Sequence, residues 1–140
     1  MGAHVSVPLY QRTARQRYAL EGARCTKCES VLFPPRAVCS TCGKGDFTPF
    51  QLSGQGEVYS YTVIAAGGAP PEFMRQVEAA GEYAVAVIAL KEGPRIVAQL
   101  VDVDLQAVAV GMPVEAVFRR IYDEEGVNRY GFKFRPVPPQ

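Results

Sequence analysis

The 140-residue chain has no tryptophan and a single histidine, His4, and all four of its cysteines fall between positions 25 and 42. Each scarcity removes a class of function. A nucleophile needs a base beside it, and the one histidine lies three residues from the N-terminus, where it is expected to be incidental. The longest apolar run, Tyr83–Leu90, is less than half of the roughly 18 to 20 residues that a spanning helix needs, so no membrane is expected. The opening MGAHVSVPLYQRTARQRY has arginines but no apolar core, so no secretory signal is expected, and Gly2 lacks the polybasic context of a stable lipid anchor. Walker and dinucleotide-binding glycine patterns are absent. Asp123, Glu124 and Glu125 read as a solvated turn rather than as a tuned acid–base pair. Such a chain is poorly equipped to be an enzyme alone, and a cytoplasmic location, where thiols stay reduced, is expected.

What is present begins with charge. The formal net charge is only +1, but residues 1–44 carry seven Lys or Arg against two Glu, and residues 45–140 carry eight against twelve Asp or Glu. The sign changes just past the cysteine cluster, which suggests two regions with different roles.

The cluster reads CTKCESVLFPPRAVCSTC, with Cys25, Cys28, Cys39 and Cys42 spaced C-x2-C-x10-C-x2-C. A redox dithiol would need an oxidising compartment or a thioredoxin-like strand–helix context, and neither is visible. Each pair instead has the character of a knuckle. Thr26-Lys27 and Ser40-Thr41 are small or polar residues for the turns, and Gly43 follows the second pair, where positive φ is cheap. Four thiolates fill the tetrahedral sphere of zinc with no open position, which is the structural kind of site. Between the knuckles, Pro34 and Pro35 forbid a helix while Val31, Leu32 and Phe33 favour a strand, so a short β-hairpin is expected: a zinc ribbon. Arg24, Lys27, Arg36 and Lys44 surround it, either to offset the net −2 of zinc with four thiolates or to present a basic face to an anion.

Ahead of the ribbon, residues 7–20 predict a short amphipathic helix, with Leu9, Ala14 and Tyr18 on one side and Arg12, Arg15 and Arg17 largely on the other. Its arginines are either solvated or a docking element. After the ribbon the pattern becomes strand-like. Residues 55–66 alternate, 82–90 are apolar on both faces, KEGP at 91–94 turns the chain into 95–101, and a strand opening at Pro113 meets another at 128–137 across DEEG. In the last of these, Tyr130, Phe132 and Phe134 are expected to face one way, with Arg129, Lys133 and Arg135 facing the other. Five such strands predict a small closed or half-open barrel, which avoids exposed edges. Residues 67–82 break the pattern, with a helical turn expected within 71–80. They are either a plain connector or, through Gly67, Gly68, Phe73 and Met74, a lip over something apolar.

A helix, a four-cysteine ribbon and a five-stranded barrel in this order resemble the zinc-ribbon/OB-fold family once catalogued as DUF35. The matching stretches are 24–42, 54–64, 82–102 and 110–121, so the likeness spans nearly the whole chain. The resemblance implies a mainly β chain: an N-terminal helical segment (1–22), a rubredoxin-like zinc ribbon (23–50) and an OB-fold barrel (51–140). It further implies a non-catalytic accessory subunit, in hetero-oligomeric association with a thiolase-like enzyme acting on acyl-CoA thioesters. Of the family's site residues, only Cys25, Cys28, Cys39 and Cys42 transfer, as ligands of structural Zn2+; contacts to CoA are fixed by no motif. On this reading Arg12, Arg15 and Arg17 contribute a docking surface, and Phe73 and Met74 belong to a loop near the partner's substrate entrance. The alternative is a nucleic-acid-binding ribbon/OB module, against which stands the acidic balance of residues 45–140, since a phosphate backbone is repelled by such a surface.

Overall fold

The computed structural model describes residues 7–124 and 126–138. Met1–Ser6, with His4 and Gly2, and Glu125 of the expected turn lie outside the described residues.

The N-terminal helix is broken into α1 (Val7–Arg12) and α2 (Ala14–Ala19). The break has a local cause. Thr13 leaves helical geometry at φ −96° and ψ 10°, its hydroxyl donating to the carbonyl oxygens of Leu9 at 2.9 Å and Tyr10 at 3.3 Å alongside its own amide's bond to Leu9 at 3.1 Å. Leu20 then ends α2 in the left-handed region, at φ 51°, a conformation that its burial at the barrel wall holds in place.

The ribbon is more strand-rich than the expected hairpin. β1 (Glu21–Cys25) is the centre of a three-stranded antiparallel sheet, flanked by β2 (Val31–Leu32) and β3 (Phe47–Gln51) in the order β2-β1-β3. Pro49 is tolerated in β3 because that strand is an edge, where a missing amide leaves no ladder bond unmade.

Five strands follow: β4 (Gln55–Ile64), β5 (Tyr83–Leu90), β6 (Arg95–Leu100), β7 (Pro113–Glu124) and β8 (Val127–Pro136). They close a barrel in the order β4-β5-β6-β8-β7, as the alternation and turn residues predict. Its interior holds Val58, Ala84, Ala86, Ile88, Leu90, Leu100, Val114 and Phe134. Leu20 and Leu52 join the same cluster, and Val31, Phe33 and Phe50 pack against it, so ribbon and barrel share one apolar core. At Gly56 the β4 backbone runs so close to β5 that a Cβ would lie 2.5 Å from the Ala89 carbonyl oxygen.

The closure is uneven. β4 pairs with β5 along its whole length but with β7 only at Gln55–Glu57, after a bulge near Tyr59 turns the strand away. The segment between β4 and β5 packs beside the β7–β8 hairpin: two 3-10 turns, Ala66–Gly68 and Pro71–Phe73, lead into α3 (Met74–Ala80). Phe73 anchors it between Tyr83 and Tyr122, with ring centroids 5.9 and 5.7 Å away, and Arg75 pairs with Asp123 at 3.0 Å.

Candidate functional site

The two knuckles are built alike. Cys25 donates its amide to the Ser30 carbonyl at 2.9 Å, and its own carbonyl accepts from the Glu29 amide at 3.0 Å. Cys39 repeats this with Lys44 at 2.7 Å and Gly43 at 2.9 Å. Each loop therefore turns its two thiols to the same side, and β1 with its flanking strands brings the loops face to face. Cys25 Sγ lies 3.6 Å from Cys42 Sγ, Cys28 Sγ lies 3.6 Å from Cys39 Sγ, and all four sulfur atoms fall within 4.8 Å of one another. The cysteines are free thiols, not disulfides. Tetrahedral thiolate ligands at about 2.3 Å from one ion stand about 3.8 Å apart, so the spacing suits zinc.

Their electrostatics also calls for a cation. Hydrogen bonding with the Ser30 side chain and backbone holds the Cys28 thiol down at about 6. At the other extreme is Cys42: the Lys44 amide favours its thiolate, but burial and hydrogen bonds with Cys25, Cys28 and Cys39 push it up to about 11. Four thiols at these distances do not ionise together unaided, and a divalent ion supplies the charge that lets them. With four sulfur ligands the site has no open position, so it stabilises the fold and offers no Lewis-acid chemistry.

The arginines of the helical segment do not form one set. Arg12 reaches back to the Pro8 carbonyl at 3.3 Å and stays exposed, and Arg15, also exposed, pairs with Glu21 at 3.0 Å. Arg17 is instead packed against aromatic rings, its guanidinium 3.5 Å from the Tyr10 centroid and hydrogen-bonded to Thr13. Tyr18 stacks edge-on against Phe118, which continues through Tyr130 and Phe132, so α2 is fastened to the barrel by aromatic contact. In the other predicted loop, Phe73 is committed to the packing described above, while Met74 remains exposed.

Two features escape the sequence reading. One is a row of exposed apolar side chains on the free half of β4: Tyr59 at 51%, Tyr61 at 41% and Val63 at 39%. The alternation of Tyr59, Tyr61 and Val63 with Ser60 and Thr62 was the available signal. The other is Lys133, expected only to face away from Phe134 and in fact 7% exposed. Burial lowers its pKa, and Arg120 and Arg119 lower it further by repulsion. Its period-two position gave no warning, because α3 and the β7–β8 hairpin shelter it from outside the strand.

Ribbon and barrel together define the class: a zinc-ribbon/OB-fold protein. A family model described as the ChsH2 rubredoxin-like zinc ribbon domain matches residues 12–48, and one described as the ChsH2 C-terminal OB-fold domain matches residues 50–119. A DUF35 domain-containing scaffold protein of Methanocaldococcus jannaschii is 44% identical over 129 residues, 90% of this chain and 87% of its own length. The chain belongs to the DUF35 scaffold family. It is also 29% identical to the benzoylsuccinyl-CoA thiolase subunit BbsA of Thauera aromatica over 84% of this chain and 76% of that one. Among solved structures, the Ltp2-ChsH2(DUF35) aldolase superposes with a TM-score of 0.69 at 29% identity, covering 97% of this chain and 98% of its counterpart. Among the described residues no helix is long and apolar enough to cross a membrane.

Proposed function

We propose that this chain is a non-catalytic accessory subunit that braces a thiolase-like enzyme acting on acyl-CoA thioesters, with one structural zinc held by Cys25, Cys28, Cys39 and Cys42. The observation that carries the reading is that every cysteine belongs to the ribbon cluster, so no thiol remains for acyl transfer. A relative named as a thiolase subunit and a likeness to a DUF35 chain of an aldolase supply the partner class. The exposed row Tyr59, Tyr61 and Val63 supports an association surface, as does the strand edge left free where β4 parts from β7. Arg12 and Arg15 on α1 and α2 offer exposed positive charge for docking, and Met74, positioned by Phe73, is the part of the 67–82 loop available to a substrate entrance.

Affinity purification of the tagged chain from its native cell, under salt high enough to remove non-specific anions, tests the reading. A stoichiometric acyl-CoA enzyme subunit is expected in the eluate, identified by mass spectrometry and by its turnover. Recovery of nucleic acid with no such subunit would replace this proposal with the ribbon/OB nucleic-acid module.

A further inference from the structure

Lys133 is the buried charge that neither the ribbon nor the proposed association explains. It stands on β8 opposite Val117 of β7 and lines a cavity of about 470 Å3 between that hairpin and α3. Glu72, Arg75, Gln76, Arg120 and Asp123 share the lining, with Ala79, Ala80, Ile121 and Tyr122 making it partly apolar. Its exposure is 7%, and among the described residues its ammonium has no ion pair and no hydrogen-bond acceptor.

The aliphatic stem of Lys133 accounts for its burial, while its ammonium opens onto the cavity without an acceptor, and the surroundings disfavour its charge rather than relieve it. Arg119 and Arg120 both repel it. The carboxylates nearby are not arranged to offset this. Asp123 is engaged with Arg75 at 3.0 Å, Asp102 with Arg119 at 2.9 Å, and Glu72 is an exposed residue of the 3-10 turn, where water screens it. Lys133 and Arg120 are thus two cations on one cavity wall, neither of them in an ion pair among the described residues.

From this arrangement we infer that the cavity under α3 is a binding site for a phosphate-type dianion, held by the Lys133 ammonium and the Arg120 guanidinium. A dianion balances two unpaired cations, which a carboxylate would not. An ammonium acts as a point-charge partner for a phosphoryl oxygen and a guanidinium as a planar fork, so the pair suits a tetrahedral group. The apolar remainder of the lining leaves room for the organic body that carries such a group. The site is independent of the ribbon zinc, and the inference stands whichever partner the chain has.

The probes are inorganic phosphate and coenzyme A, each compared with chloride at matched ionic strength, on the zinc-loaded full chain. Melting temperature and calorimetric titration are read for the wild type, Lys133→Met and Arg120→Gln, with zinc content checked for each. Phosphate or coenzyme A is expected to raise the melting temperature in a concentration-dependent way that chloride does not reproduce. Both substitutions are expected to weaken binding at least tenfold while leaving zinc content unchanged. Tighter binding of coenzyme A than of inorganic phosphate would assign the group to a phosphorylated nucleotide of the coenzyme A type; equal binding would assign it to free phosphate. If both probes act no differently from chloride, or if the two variants bind as the wild type does, the inference is wrong.

Discussion

Glu29 and Gly43 occupy equivalent places in the two cysteine knuckles, each following its second cysteine with left-handed backbone, at φ 63° and 73°. Both donate their amide to the carbonyl of the first cysteine in their loop. The same turn is therefore made once with the residue suited to it and once without, and the difference is measurable. Glu29→Gly is expected to stabilise the zinc-loaded chain, or at worst leave it unchanged, while Gly43→Ala destabilises it by about 1 kcal/mol through backbone strain alone, since nothing lies within 4 Å of the added Cβ. Denaturant unfolding of the loaded protein checks both; a stabilising Gly43→Ala would show that the knuckles are not equivalent.

Gly56 answers to a different constraint. An added Cβ would meet the Ala89 carbonyl oxygen at 2.5 Å and Ile88 Cγ2 at 2.9 Å, and the first of these is backbone that cannot turn aside. Gly56→Ala is expected to force β4 from β5 and to cost on the order of 2 kcal/mol or more, as overpacking does in a closed core. An unchanged melting temperature would mean that the two strands are farther apart than described.

Alkaline pH should reveal Lys133. Its folded pKa lies below the ordinary value of 10.5 because burial, then Arg120 and Arg119, disfavour the ammonium, with Arg75, Glu72 and Asp123 completing the charged groups of the cavity. In the unfolded chain the side chain keeps its proton to higher pH. Between the lowered value and 10.5 the unfolded state binds more protons, so stability contributed by this group rises with pH. The wild type should gain on Lys133→Met across that window in anion-free buffer, and parallel pH profiles for the two would remove the case for a desolvated ammonium.

How much of this was legible in the sequence depends on what kind of physics each feature obeys. Strands β4 to β8 announce themselves because turn residues such as Gly93, Gly111 and Gly126 and the apolar runs between them are local signals. The four cysteines are legible because tetrahedral coordination dictates their spacing. β1 and β3 were not, since EGARC and FTPFQ lack alternation and form only because they pair with each other. The burial of Arg17 and Lys133 was not legible because Tyr10's ring and α3, which cover them, do so through the tertiary fold. The exposed Tyr59–Val63 row arises where β4 leaves β7, a consequence of closure that no single strand encodes.

Docking through the basic segment has its own test. Arg15 is exposed, and its pair with Glu21 contributes little, about 0 to 1 kcal/mol, so reversing Arg12 and Arg15 to Glu should leave zinc content and melting nearly unchanged. Association with the partner subunit should slow, and lose its salt dependence, because charges at the rim act mainly on encounter. Unaltered association kinetics would move the docking surface to the Tyr59–Val63 row, where Tyr61→Asp is the next substitution.

The central claim is that the chain assists an acyl-CoA enzyme without performing its chemistry, and titration of the purified, zinc-loaded chain into its purified partner tests it most directly. Acyl-CoA turnover by the partner should rise saturably to a fixed stoichiometry, the chain alone should give none, and a zinc-free Cys39→Ser chain should fail to support the rise because the ribbon is unfolded without metal. Turnover by the chain alone, or a partner whose activity and oligomeric state ignore its addition, would contradict the account.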